Sequence, residues 1–302
     1  MRILITGGTG LIGRALCGAL LEAGHQVTVL SRFPQSVHGK CGPNVSIFSG
    51  LDQWSADTAF DAVINLAGAP IVDAPWTAAR RKMLWDSRVT LTERLVEKIA
   101  ASRTKPAVLL SGSAIGFYGD CGDDSIIESH KQGSDFAAQL CAAWEAAAQQ
   151  ASAAGVRVCL LRTGVVLSAS GGFLERMPLP FKLGLGARLG NGRQSLSWIH
   201  IDDFVAMTLK MLDDTRASGA INMAAPQPVT NNEFTQKLAA ALHRPAFLAA
   251  PGFVIKAIFG ARSILLLGGQ RVLPEKLQSL GYRFKFAGVD EALKEVVTAL
   301  AK

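Results

Sequence analysis

The sequence predicts an α/β fold: a doubly wound parallel sheet with helices on both faces and a smaller C-terminal lobe. Over the first two-thirds of the 302 residues, short β-branched runs alternate with longer amphipathic stretches. That pattern belongs to parallel strands joined by right-handed helical crossovers. A Gly-x-x-Gly-x-x-Gly run at positions 7, 10 and 13 lies between the first apolar run and the first amphipathic one. After Gly164 the alternation loosens into a Gly- and Pro-rich stretch followed by four further helical patterns, which supplies the lobe.

Strands are expected over 2–6, 26–31, 45–48, 61–66, 106–111 and 156–161, and helices over 11–23, 77–101 and 135–154. Residues 171–195 read as a loop with a short helix. Helices resume over 201–213, 230–243, 251–260 and 288–300. No linker separates two domains, so the expected division is a main domain over 1–220 and a lobe over 221–302 packed on it. Within the main domain, residues 165–200 are expected to form a substrate-side loop region, and the C-terminal third to pack over the open strand ends.

Composition narrows the classes. Hydrophobic residues make up 49% and charged residues 18%, enough for a large core and unlike a disordered chain. The net charge is +7, but Lys and Arg are scattered, with short runs such as Arg80-Arg81-Lys82 and no aromatics interleaved. This argues against nucleic acid and suits solubility or a small molecule bearing phosphate. The five cysteines are odd in number and form no Cys-x-x-Cys, which points to unpaired thiols in a reducing, cytoplasmic setting. The first strand runs straight into the glycine motif, so no signal peptide is expected. The most apolar stretch, 246–269, is interrupted by Pro251, Lys256 and Arg262, so no membrane span is expected.

The glycine motif carries the strongest chemical signal. In Thr6-Gly7-Gly8-Thr9-Gly10-Leu11-Ile12-Gly13, Gly7 permits a tight turn and Gly10 lets the backbone approach a pyrophosphate. Gly13 lets the helix pack close to the strand, and the N–H groups of Thr9, Leu11 and Ile12 face the phosphates at the positive helix end. This is the dinucleotide site of a Rossmann fold. The second strand ends in Ser31-Arg32, and no acid occurs between Glu22 and Asp52. An acid here would hold the ribose hydroxyls of NAD(H). Arg32, with Ser31 and Arg14 nearby, instead suits a 2′-phosphate and favours NADP(H) over NAD(H), the alternative being a solvent-exposed loop arginine.

Further motifs follow in order: Asn65-Leu66-Ala67-Gly68, Ser111-Gly112-Ser113 with Tyr118-Gly119, Leu161-Arg162-Thr163-Gly164, Trp198-Ile-His200-Ile-Asp202-Asp203, and Asn222-Met-Ala-Ala-Pro226. With the glycine motif they resemble the extended short-chain dehydrogenase/reductases, the sugar-nucleotide epimerase group. Leu140-Cys141-x-x-Trp144-Glu145, Pro180-Phe-Lys-Leu-Gly-Leu-Gly186 and Gly269-Gln-Arg-Val-Leu-Pro274 resemble the YfcH-type "epimerase family" proteins, including their C-terminal segment from about 249 onward. The resemblance spans essentially the whole chain. It implies that Leu66, Ala67 and Gly68 pass the adenine side, and that Ser111, Gly112, Arg162, Gly164 and Val166 lie along the cofactor toward the nicotinamide. It also implies a homodimer.

Active members of that superfamily use a Ser/Thr, a Tyr-x-x-x-Lys pair and often an Asn, the Lys lowering the Tyr pKa from one helical turn on. Tyr118 is followed four residues later by Gly122 and Tyr282 by Phe286, so the pair is missing. The resemblance puts Ala137 at the Tyr position, Cys141 at the Lys position and Arg88 at the Asn position, and keeps Ser113. Tyr118 is either a substitute acid/base or a structural residue of the Tyr-Gly turn. Cys141 is either a redox thiol or a small buried hydrophobe, the latter preferred. Arg88 is read as a phosphate or ribose contact.

On the substrate side, Gly184 to Gly192 holds four glycines and is followed by Arg193, which could reach a phosphate as the loop closes, the alternative being a surface loop. His200 faces the same cleft in this reading, Asp202 or Asp203 caps the next helix, and no metal is expected. The expected activity is an NADP(H)-dependent oxidoreductase or nucleotide-sugar epimerase-like enzyme on a small-molecule substrate, with Ser113 orienting the substrate oxygen. The rival is a protein that holds NADP(H) without turnover and signals through a partner surface near 246–269.

Overall fold

The computed structural model describes residues 1–172, 174, 181 and 185–300. Its centre is a sheet of seven parallel strands: β1 (Arg2–Thr6), β2 (Gln26–Leu30), β3 (Ser46–Phe48), β4 (Ala62–Asn65), β5 (Val108–Ala114), β6 (Arg157–Thr163) and β7 (Gly219–Met223). Their spatial order is β7-β6-β5-β4-β1-β2-β3. The chain builds outward through β1, β2 and β3, then returns to lay β4 on the other side of β1. The reversal opens a crevice beyond the carboxyl ends of β1 and β4, where open α/β sheets bind ligands.

Alternate residues of each strand feed two different cores. Ile3 and Ile5 face one layer while Leu4 faces the other, and the same split separates Ile64 from Val63 and Leu110 from Leu109. Burial on both faces is why these strands read as unbroken apolar runs. One layer holds α1 (Leu11–Glu22) and α5 (Ile201–Asp213); the other holds α3 (Leu91–Ala101) and α4 (Phe136–Gln149).

The helix expected over 77–101 is not continuous. It runs as α2 (Ala78–Trp85), passes through a π-helical turn at Asp86–Thr90, and continues as α3. The wider turn re-phases the helix faces, so Arg88 does not lie where an unbroken 3.6-residue period would put it. The helix expected over 135–154 is α-helical only to Gln149 and ends in a tighter 3₁₀ turn. The expected boundary at residue 220 falls inside β7, which belongs to the main sheet. The short helix expected within 171–195 falls largely on residues outside the described set.

The lobe has its own core around Trp198, Phe234, Leu238, Phe286, Leu293 and Val296. Its helices include α6 (Asn231–Ala241), opened by a reciprocal capping box between Thr230 and Glu233, α7 (Gly252–Phe259) and α8 (Val289–Leu300). Small strand pairs staple the lobe to the rest: Val165–Leu167 with Trp198–His200, Ala187–Leu189 with Leu248–Ala250, and Ser125–Ile126 with Arg271–Val272. No helix of the described residues is long and apolar enough to cross a membrane.

Candidate functional site

A groove of about 440 Å³ opens at the carboxyl ends of β1, β2 and β4. The expected residues Gly7, Thr9, Gly10, Ser31, Arg32, Leu66, Ala67 and Gly68 all line it. Its floor is a backbone crossing that only glycine allows. A Cβ on Gly7, whose φ is +70°, would stand 2.6 Å from the Leu66 carbonyl carbon, and one on Gly13 would stand 2.3 Å from the Gly7 oxygen. Gly10 is the N-cap of α1 and offers no side-chain cap, nor is any acid present in the first turn. The N–H groups of Leu11 and Ile12, just inside that helix end, are thereby left for an anion. Gly13 itself is buried beneath the loop.

The crossing is braced from behind. Thr6 Oγ1 donates to Asn65 Oδ1 at 2.6 Å and accepts from Ala67 N–H at 3.1 Å. Asn65 Nδ2 in turn donates to Thr92 on α3 at 2.8 Å and to Ser111 at 3.3 Å. Ser111 is fully buried in this brace, and a Cβ on Gly112 would meet the Trp144 ring at 2.8 Å. Both expected cofactor residues thus support the groove from beneath and do not line it.

The outer end of the groove is basic. Arg32 is exposed, 5.9 Å from the Phe33 ring, and no ion pair of the described residues involves it. Ser31 Oγ accepts from Phe33 N–H at 3.1 Å, which shapes the turn that projects Arg32. Sequence reasoning missed Ser49, Gly50, Leu51 and Asp52 after β3, and Leu91 and Arg94 on α3. The signal for the first group was available: Asp52 is the residue that ends the acid-free stretch, and it follows a strand in the right half of the fold.

Tyr118, Arg162 and Glu145 form a buried network. Arg162 makes a forked pair with Glu145, Nε to Oε1 and Nη2 to Oε2, each at 2.8 Å. Its Nη1 donates to Tyr118 Oη at 3.0 Å and to the Glu128 carbonyl at 3.1 Å, and its guanidinium lies 3.5 Å from the Phe117 ring centre. Burial works against the Arg162 charge, but the hydrogen bonds and charges of Glu145 and Tyr118 together outweigh it and hold the guanidinium above its ordinary pKa. Tyr118 is 2% exposed and donates its proton to Asn222 Oδ1 at 2.6 Å, and burial pushes its phenol up. Of the two roles open to Tyr118, the burial and the bond to Asn222 suit the structural one, while every Arg162 nitrogen is engaged in joining β6 to α4 and the turn at Tyr118.

Ser113 lies beside this network and donates to Glu145 Oε1 at 2.6 Å. Its proton is therefore committed inward, and its lone pairs are what remain for a ligand. Cys141, on the preceding turn of α4, is buried with its thiol pushed up to about 12, first by burial and then by the Glu145 charge. It stays neutral at physiological pH, as a small packed hydrophobe does.

Arg88 packs flat on the loop after β4: a Cβ on Gly68 would meet its Cζ at 2.8 Å, and its guanidinium is 5.4 Å from the Trp144 ring. Gly164 is demanded by packing, since its Cβ would stand 2.8 Å from the Ser197 carbonyl oxygen, and Val166 pairs with Ile199 in the neighbouring strand pair. Arg193 is exposed on a turn pinned to α6 by Asn231 N–H to Gln194 O and Asn232 N–H to Gly192 O, each 2.9 Å. Residues 182–184 at the start of the loop expected there lie outside the described residues. His200 is also misplaced by the sequence reading. It is 1% exposed, its Nδ1 caps α5 by accepting from Asp202 N–H at 3.2 Å, and its Nε2 donates to Glu295 at 2.9 Å. The cap is thus His200 and not Asp202 or Asp203. Asp203 instead binds the C-terminal segment through Lys285 N–H at 2.8 Å and Phe286 N–H at 2.9 Å.

Comparison with known proteins agrees with this geometry. Residues 3–224 match the model of the NAD dependent epimerase/dehydratase family, and residues 250–296 match a domain of unknown function, DUF1731. An epimerase family protein of Mycobacterium bovis is 41% identical over 298 residues, 98% of this chain and 97% of that protein. The chloroplastic epimerase family protein SDR39U1 homolog of Arabidopsis thaliana is 36% identical over 303 residues, 98% of this chain and 87% of that one. The crystal structure of human epimerase family protein SDR39U1 (isoform 2) with NADPH superposes with a TM-score of 0.90 at 35% identity, covering 99% of both chains. The glycine crossing, the uncapped α1 and the match over residues 3–224 place this chain in the NAD dependent epimerase/dehydratase family.

Proposed function

We propose that the protein binds NADP(H) in the groove and uses it in an oxidoreductase or epimerase-like reaction on a small molecule. One observation carries the reading: the glycine crossing and free helix end form a diphosphate cradle whose outer rim presents an unpaired Arg32 and no acid from β2. The similar human protein has NADPH in its structure, which supports the same choice of dinucleotide. A bound nicotinamide dinucleotide supplies hydride exchange at C4 of its ring. Gly7 to Ile12 hold the diphosphate, Arg32 holds the 2′-phosphate, and Ala67 and Gly68 let the chain pass close. Ser113, its proton given to Glu145, accepts a hydrogen bond from a substrate hydroxyl. The five cysteines are all unpaired, which supports a cytoplasmic setting.

A second reading, in which NADP(H) is held without turnover, is favoured by Ala137 and by the neutral, buried Cys141 at the positions of the usual Tyr and Lys. The two are separated by following nicotinamide absorbance with a panel of small aldehydes, ketones and alcohols. Under the first reading at least one compound turns over. Ser113→Ala then lowers kcat by about 100-fold, within the range for a lost positioning or proton-transfer group, while NADPH affinity stays within about twofold. Tight NADPH binding with no turnover of any compound selects the second.

A further inference from the structure

Three buried side-chain nitrogens have no hydrogen-bond partner among the described residues: Arg80 Nε, Arg88 Nη1 and Arg262 Nε. All three arginines grip the same loop, which leaves the groove at Gly68. Arg88 lies on Gly68, Arg80 Nη2 donates to the Pro70 carbonyl, and Arg262 Nη1 donates to the Val72 carbonyl at 2.7 Å. The atoms of Arg88 that would touch a Gly68 Cβ are Cζ, Nη2 and Nε, at 2.8, 3.0 and 3.2 Å, so Nη1 is the nitrogen left over.

The chemistry around them is one-sided. None of the ion pairs of the described residues includes Arg80, Arg88 or Arg262. Arg88 and Arg80 hold the loop two residues apart, at Gly68 and at the Pro70 carbonyl, and the Arg88 pKa is lowered by burial first, against a smaller opposing effect of Cys141, and also by the Arg80 charge. Two guanidinium groups on one loop, each with an unpartnered buried nitrogen and neither in an ion pair of the described residues, gain by binding an oxyanion. The walls beside them are apolar, built from Ala69, Trp76, Leu84, Ala137, Leu140 and Trp144. An ion pair formed against such walls is weakly screened.

We propose that Arg80 and Arg88 form a substrate subsite for an oxyanion, a carboxylate or phosphate on the same small molecule whose reacting carbon meets the nicotinamide. The assignment rests on the dinucleotide reading of the groove. In that reading the cofactor's own phosphates are already provided for, by the α1 end and by Arg32. Arg80 and Arg88 are absent from the groove lining. Arg88 lies at Gly68 beside Trp144 and Cys141 of α4, the helix that bears the position of the usual lysine, and Arg80 holds the same loop two residues on, at the Pro70 carbonyl. The anion would sit between the loop and α4, with its apolar remainder against Trp144 and Trp76. Both Arg80 Nη groups are engaged, by Met83 Sδ and the Pro70 carbonyl, so the nitrogens left for the anion are Arg80 Nε and Arg88 Nη1, one from each guanidinium.

The test is calorimetric titration of inorganic phosphate and, separately, oxalate into the full chain, first alone and then saturated with NADPH. The expected result is one equivalent of at least one anion in both states; the tighter of the two tells whether the group is phosphate or carboxylate. Arg80→Met and Arg88→Met each weaken that binding by about tenfold or more, and Arg80→Met leaves NADPH affinity within about twofold. Lys82→Met, an exposed cation on the same helix, leaves anion binding unchanged. Should a Met variant fail to fold, Arg80→Lys and Arg88→Lys keep the charge but lose the fixed guanidinium plane that sets Arg80 Nε and Arg88 Nη1, and still weaken the anion. Anion binding that is lost when NADPH is present, that is indifferent to both arginines, or that is undetectable in wild type overturns the proposal. If NADPH does not bind but the arginine-dependent anion does, the cofactor reading and the substrate role fall together while an arginine-held anion site remains.

Discussion

Arg32→Ala lowers NADPH affinity by about 30- to 100-fold and leaves NADH affinity within about twofold, as read by titration of the two cofactors against each protein. The magnitude follows from losing charge-assisted hydrogen bonds to a dianionic phosphate, about 2–3 kcal/mol. Arg32 is the residue to bear it because it lines the groove, is exposed, and has no competing carboxylate among the ion pairs of the described residues. Exposure also sets the salt dependence: the difference between NADPH and NADH shrinks as ionic strength rises. Asp52 shares the groove, and its carboxylate is suited to a donor such as an exocyclic amine and not to a phosphate.

Glu145→Ala destabilises the protein by about 3–5 kcal/mol, the range for removing one partner of a buried ion pair. Side-chain exposure is 6% at Arg162 and 8% at Glu145, so the abandoned guanidinium has little water to recover. The loss spreads, because Ser113 donates to the same carboxylate and Tyr118 accepts from the same arginine. Urea unfolding measures it. The double change Glu145→Leu with Arg162→Met costs less than Glu145→Ala alone, since no charge is then stranded. The exposed Lys82–Asp86 pair, 75% and 46% exposed, gives the contrast: Asp86→Ala changes stability by less than about 1 kcal/mol. A Glu145→Ala cost near that of the surface pair would show that the network does not act as a unit.

Much of the fold was legible because the sheet is buried on both faces. Ile3, Leu4 and Ile5 serve two cores from one short run, and such runs separated by amphipathic stretches admit few other folds. The glycine crossing was legible because the steric demand is local: Gly7 and Gly13 meet within one turn. The π turn at Asp86–Thr90 was not, since Asp-Ser-Arg-Val-Thr contains no Gly or Pro to mark it. Tyr118 was left open between two roles, and His200 misplaced, for a different reason. Their fates depend on Asn222, 104 residues away, and Glu295, 95 residues away, and no local pattern records such partners. Arg80 looked like part of a solubilising basic run, although its helix turns it onto the Pro70 carbonyl and away from Lys82. Asp52 had a usable signal, as the first acid after the third strand, that a search confined to the end of the second strand passed over.

The measurement that bears most directly on the account is calorimetric titration of the cofactor-free wild-type protein with NADPH and, separately, with NADH. The account predicts one equivalent of NADPH bound at least about 30-fold more tightly than NADH, the difference a single phosphate–arginine contact supplies. Equal or tighter binding of NADH would contradict the role given to Arg32. Binding of neither would contradict the dinucleotide site itself.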